Sequence, residues 1–167
     1  HTAMLFGNIN YEQDSTTENI THTALRDNPN ETKSWTSLPW TAVEVNTTNI
    51  ILSESGFKSR VYEEHQASEE VIRQIGEHAD SPLILHVATH GFFFSDQEKY
   101  RDNTQQTAAV FKYAQSPMMR SGLVLAGANY AWQYGRSAQL EKEDGILTAY
   151  EISQINLRNT ELVVLSA

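Results

Sequence analysis

The stretch SPLILHVATHGFFF, residues 81–94, decides the fold. Leu83, Ile84, Leu85, Val87 and Ala88 form a short apolar run bounded by Pro82 and Gly91. Such a run predicts a central strand covered on both faces, because a half-exposed strand would alternate apolar and polar residues. It stops abruptly at Thr89-His90-Gly91. The carboxyl end of a buried strand is where open α/β sheets gather their chemistry, since the loops leaving that edge converge on one crevice. His90 is therefore the first candidate for function, although a hydrogen-bonded structural imidazole is the simpler role for a single histidine.

His86 and His90 have the i, i+4 spacing that pairs metal ligands on a helix. In a strand, four residues advance the chain roughly 13 Å at about 3.3 Å per residue, too far for two rings to share one ion. With no cysteine in 167 residues to complete a site, no metal is expected and no cofactor is implied.

Upstream, Thr2–Ile9 reads as a short buried strand, and the polar run from Asn10 to Ser37 as an exposed loop. A helix is expected after Pro39, with Thr41 to Glu44 as a capping box, Val43, Thr47, Ile50 and Ile51 as its inward stripe, and Gly56 as its stop. Lys58–Tyr62 is the next strand. Ser68 then caps a helix whose Glu69 and Glu70 meet its dipole favourably, with Val71, Ile72 and Ile75 inward and its end near His78 to Asp80. Strand, helix, strand, helix, strand with short connections implies right-handed crossovers and a parallel sheet.

Downstream, the polar run after Phe94 reads as an inserted loop beside the crevice. The small residues Gly122, Ala126, Gly127 and Ala128 suit close backbone packing. Asp144-Gly145 signals a turn, and Thr148 to Glu151 repeats the capping-box spacing before a helix that carries Ile152 and Ile155. TELVVLSA, residues 160–167, is another apolar run of strand type.

A net charge of −9 and a pI near 5.0 argue against nucleic acid or an anionic membrane as partner, since both reward clusters of Lys and Arg. No stretch has the roughly 18 apolar residues of a membrane helix, so a cytoplasmic setting is expected.

In order, TSLPWTAVEV, PLILHVATHGFFF, RSGLVLAGAN, DGILTAYEI and TELVVLSA resemble the successive blocks of the CHAT domain, a caspase-like peptidase family related to caspases and separases. The resemblance implies an α/β, caspase-like three-layer sandwich with a mainly parallel central sheet flanked by helices. It implies a cysteine endopeptidase acting on a protein or peptide through a Cys–His dyad. His90 would be the dyad histidine and Gly91 a backbone donor to the oxyanion. The family pattern puts the cysteine directly after LVVLSA, so residues 1–167 are read as an incomplete domain cut just before its nucleophile, with exposed loops at 12–34 and 95–116.

Relatives often carry an acidic pocket for Arg or Lys, for which Asp144, or Glu151, is the candidate, against the turn and cap roles already noted. Family members also often follow tetratricopeptide repeats, so a helical-repeat region or an activating partner is expected. The alternative is a catalytically inactive scaffold of the same fold. An α/β-hydrolase would need a Gly-x-Ser-x-Gly elbow, and none occurs.

Overall fold

A computed structural model describes residues 1–12, 34–77, 80–95, 109–112, 114–135, 137 and 142–166. The elements in chain order are β1 (Thr2–Ile9), α1 (Trp40–Glu54), β2 (Lys58–Glu64), α2 (Glu69–Arg73), β3 (Ile84–Ala88), β4 (Gly91–Phe93), α3 (Ala109–Lys112), β5 (Ser121–Val124), α4 (Ala128–Tyr134), β6 (Ile146–Thr148), α5 (Ala149–Ile152) and β7 (Leu162–Ser166). Four strands form a sheet in the order β2-β1-β3-β7, and every pair in it is parallel. The run 84–88 is thus an inner strand, as its apolar composition requires.

Alternation along β3 assigns its two faces. Leu85 and Val87 enter the main core with Phe6, Tyr62, Ile72 and Ile75, whereas Ala88 joins Leu5 and Val45 of α1 in a smaller core on the other face. The sheet is therefore covered on both sides at β1 and β3, in keeping with the sandwich expected from the sequence, while Leu162, Val163 and Leu165 of β7 are 46–60% exposed. Each large apolar side chain fully buried in these cores is worth roughly 1.5–3 kcal/mol.

Gly7 allows α1 its close approach. A Cβ there would lie 2.7 Å from Val45 Cγ1 and 2.9 Å from the Thr41 carbonyl.

Helix α1 differs from its expected form in two ways. Its N-cap is Pro39, and no capping box forms. The Thr41 hydroxyl donates to the Leu38 carbonyl at 2.6 Å and accepts the Asn8 N–H at 2.8 Å, while Glu44 reaches across to the sheet. The inward residues are Thr41 and Val45, with Leu52 partly buried; Val43, Ile50 and Ile51 of the expected stripe are more than half exposed. The contact with β1 selects a face of small and β-branched residues, because Gly7 leaves room only for a close neighbour. Helix α2 ends at Arg73, short of the expected boundary, and Ser68 precedes it without a side-chain cap bond.

A second, antiparallel sheet in the order β4-β5-β6 accompanies the parallel one, and the sequence pattern does not announce it. It uses Gly122 at its centre, where a Cβ would fall 2.4 Å from the Leu147 carbonyl and 2.9 Å from Phe92 Cε1. Gly122→Ala is expected to lower stability by about 1–3 kcal/mol through overpacking, measured as a lower urea midpoint.

The two segments expected as loops, 12–34 and 95–116, lie mostly outside the described residues. Ala109–Lys112, within the second, is helical, and Phe111 is buried against Phe92 and Trp132. In the polar run that begins at Asn10, Tyr11 is buried in the main core. Thr148 and Glu151 do form the expected capping box, and Gly145 takes the left-handed conformation its turn needs. No described helix is long and apolar enough to cross a membrane.

Candidate functional site

His90 lies just past the carboxyl end of β3 and just before β4, where the chain passes from one sheet to the other. Its ring is fixed on three sides. Tyr11 flanks it with ring centroids 5.3 Å apart and Trp35 with centroids 5.2 Å apart. Its Nε2 stands 2.8 Å from the Thr36 carbonyl oxygen. A carbonyl only accepts, so Nε2 carries the proton and donates it, which leaves Nδ1 as the basic nitrogen of the neutral ring.

The residue beneath, Thr89, is buried and holds the turn. Its hydroxyl donates to the Val124 carbonyl and accepts from Tyr11 Oη at 2.9 Å. Burial pushes the Tyr11 phenol above its ordinary range, opposed by its hydrogen bonding with Thr89 and with the His90 backbone, so it stays a neutral donor at physiological pH.

Gly91 begins β4, the edge strand of the antiparallel sheet. The Val124 N–H donates to the His90 carbonyl and the Phe94 N–H to the Arg120 carbonyl, so ladder bonds fall on the even positions of β4. The intervening N–H of Gly91 is directed away from β5, toward the side of β4 that pairs with no strand among the described residues. A Cβ at Gly91 would meet the Gly122 carbonyl at 3.4 Å, an ordinary contact, so packing does not demand a glycine there.

The neighbouring strand end shares this rim. β3 and β7 keep one parallel register from Ile84 opposite Leu162 to Ala88 opposite Ser166, and the Thr89 N–H donates to the Ser166 carbonyl at 2.8 Å. A cleft of about 430 Å³ opens at the carboxyl ends of β1 and β2; His90 itself does not line it. Tyr11, Trp35 and Thr36 line it together with Asn8, Asn10, Glu12 and Glu64. Asn8 and Glu64 are the two non-glycine residues with positive φ among those described, and the Asn8 amide donates to the Glu64 carboxylate at 3.1 Å. Both residues sit at the register shift of the β1/β2 pairing between Phe6 and Ile9, and a bulge of this kind takes a residue out of the regular ladder.

His86 is buried on the opposite task. Its Nε2 donates to Glu44 Oε1 at 2.8 Å, and the other oxygen of Glu44 accepts from the Ser166 hydroxyl at 3.2 Å. Helix α1 is thereby tied to β3 and β7. No group of His, Cys, Asp and Glu among the described residues is arranged to hold a metal.

Asp144 and Glu151 belong to a different cluster, which shares no side chain with the surroundings of His90. Asp144 Oδ1 accepts the Ile146 N–H at 2.8 Å, and its carboxyl is hydrogen-bonded by Glu69. Glu151 Oε2 accepts from both the N–H and the hydroxyl of Thr148. Arg73 lies 2.7 Å from Glu143, 3.5 Å from Glu69 and 3.7 Å from Glu151. Glu69 is 1% exposed, and its Oε2 accepts the Gly145 N–H at 2.9 Å. Burial, then repulsion from Asp144, Glu151 and Glu143, pushes its carboxyl up to about 8. Burial also raises Asp144. The observed partners of Asp144 are structural ones.

Sequence reasoning puts His90 and Gly91 just past the end of the central strand, and that is where they lie. It misses Tyr11, Trp35, Thr36 and Asn129, which reach the site from elsewhere in the chain. The available signal is two aromatic residues, Tyr11 and Trp35, in an otherwise polar run.

Comparison with protein-family models matches the CHAT domain over residues 6–167. No curated protein and no solved structure matches the chain.

Proposed function

The chain belongs to the CHAT domain family, which is caspase-like and related to peptidases, and on that premise we propose that it carries the histidine half of a cysteine endopeptidase. The observation that carries this reading is the shared register of β3 and β7. His90 is the second residue beyond Ala88; the residue after Ala167 is the second beyond Ser166. If the register continues, the two stand level on adjacent strands roughly 4.8 Å apart, and a cysteine there would meet the basic Nδ1 of His90.

The steps balance without an added group. Nδ1 takes the proton of the thiol, and the thiolate attacks the peptide carbonyl carbon, forming a C–S bond. Negative charge moves to the carbonyl oxygen, where the Gly91 N–H can receive it; a fixed donor of this kind is worth about 3–4 kcal/mol. The oxyanion collapses as the C–N bond breaks, and His90 returns its proton to the leaving amine. Water, deprotonated by the same ring, then hydrolyses the thioester. The Thr36 carbonyl keeps the ring oriented throughout.

The test uses the full protein, including whatever follows Ala167, against a peptide library. Expected are peptide hydrolysis, iodoacetamide labelling of a thiol immediately after Ala167, and loss of turnover in proportion to labelling. A protein without a thiol at that position, or one labelled with no loss of turnover, would overturn the reading. The first outcome would favour a scaffold that keeps the fold without the chemistry.

A further inference from the structure

Among the described residues, the groups set against the His90 ring are the Tyr11 and Trp35 rings and the Thr36 carbonyl, and the two segments that carry them are tied to one buried amide. Asn129 lies in the first turn of α4 and is 1% exposed. Its Oδ1 accepts the Trp35 N–H at 2.6 Å, and its Nδ2 donates to the Trp35 carbonyl at 3.1 Å. The pair reproduces with a side chain the two-bond exchange that one strand offers another. The second hydrogen of Nδ2 goes to Glu12 Oε1 at 2.7 Å, and the Asn129 backbone N–H donates to the Tyr11 carbonyl at 3.0 Å.

We propose that Asn129 is a positioning residue for His90, acting through the Trp35–Thr36 strap that it clamps to Tyr11 and Glu12. The proposal rests on the reading of His90 as the proton-transfer group. Thr36 follows Trp35 directly, so fixing both backbone groups of Trp35 fixes the carbonyl that accepts from Nε2. The same clamp sets the spacing of the Tyr11 and Trp35 rings on either side of the imidazole. A misplacement near 1 Å at such a group can cost about 10²-fold in rate. The role needs a primary amide, which accepts from one backbone group and donates to another within one plane with a second donor left for a carboxylate; Gln has the same groups but sets them one methylene further out.

The test is made in the full protein with Asn129→Asp, which has nearly the same shape. The carboxylate still accepts from Trp35, but it turns an acceptor toward the Trp35 carbonyl and toward Glu12. Two readouts are taken on folded protein. Imidazole nitrogen NMR reports the His90 tautomer without needing turnover, and peptide hydrolysis reports kcat and KM.

Expected in the wild type is one tautomer protonated at Nε2. In Asn129→Asp the signals should become those of a tautomer mixture, with kcat about 10- to 100-fold lower and KM changed less than about threefold. Adding Glu12→Gln should recover part of both, since the exchanged pair again sets an amide against a carboxylate. Should the charge prevent folding, Asn129→Ala carries the same readouts. A single Nε2-protonated form with kcat within twofold of wild type would overturn the proposal, as would loss of the fold in both variants, which would leave Asn129 a purely structural role. A shifted tautomer in a protein that hydrolyses nothing would sustain the clamp and refute the peptidase.

Discussion

In the full protein, His90→Ala is expected to lower peptide hydrolysis by about 10³-fold or more while the fold is retained. The ring is assigned both proton transfers of the acylation step, and each positioned acid or base typically contributes about 10²–10⁴-fold. Structural loss should be small. His90 is only partly buried, and the hydrogen-bond acceptor it leaves behind among the described residues, the Thr36 carbonyl, belongs to an exposed residue that water can reach. His86→Ala is the contrasting control. His86 is buried, and its removal leaves Glu44 without the donor that ties α1 to β3. That variant should lose roughly 1–3 kcal/mol of stability and much less of its turnover. Urea unfolding and kcat, measured on both, separate the two histidines. Wild-type cleavage by His90→Ala, or an equal loss of turnover by a folded His86→Ala, would reverse the assignment.

The difference between these histidines is legible because strand ends are written locally. Five apolar residues between Pro82 and Gly91 mark the buried strand, and a polar residue two places past its end falls at the rim. The face of α1 is not legible in the same way. Val43, Ile50 and Ile51 outrank Thr41 in hydrophobicity, yet Thr41 is buried and they are exposed. What decides is the hollow at Gly7 and the Asn8 amide, both on another strand.

The antiparallel sheet has strands of three and four residues, too short to display a period of two. The walls of the site are hidden for a related reason. Tyr11 and Thr89 are 78 positions apart, and His90 and Thr36 are 54 apart. Nothing in the local sequence of Asn10 to Ser37 says that two of its aromatic residues enclose a ring at the end of β3. Glu69 shows the limit of a correct rule: its place in the first turn of α2 follows from the helix dipole, but its burial comes with the Gly145 N–H across the core.

That burial sets the second large effect, a loss of stability as pH rises. The Glu69 carboxyl is raised from an ordinary value of 4.5 to about 8. Between those values the folded chain holds a proton that the unfolded chain has released, so the contribution to stability is complete below 4.5 and is lost as pH climbs through 8. A tenfold change in proton affinity is worth about 1.4 kcal/mol, so the whole interval amounts to several kcal/mol.

The groups facing Glu69 account for the direction. Asp144, Glu143 and Glu151 repel its charge, and Arg73 is divided among Glu69, Glu143 and Glu151, being 40% exposed itself. Glu69→Gln keeps an acceptor for the Gly145 N–H and a donor for Asp144, and it has no proton to lose. Its urea midpoint should match wild type at about pH 5 and exceed it at about pH 9, with the remaining slope set by Asp144, which burial raises in the same direction. Curves that run parallel across that range would mean that Glu69 is already ionised in the folded protein. In that case the attraction of Arg73, at 3.5 Å, outweighs both burial and the three neighbouring carboxylates.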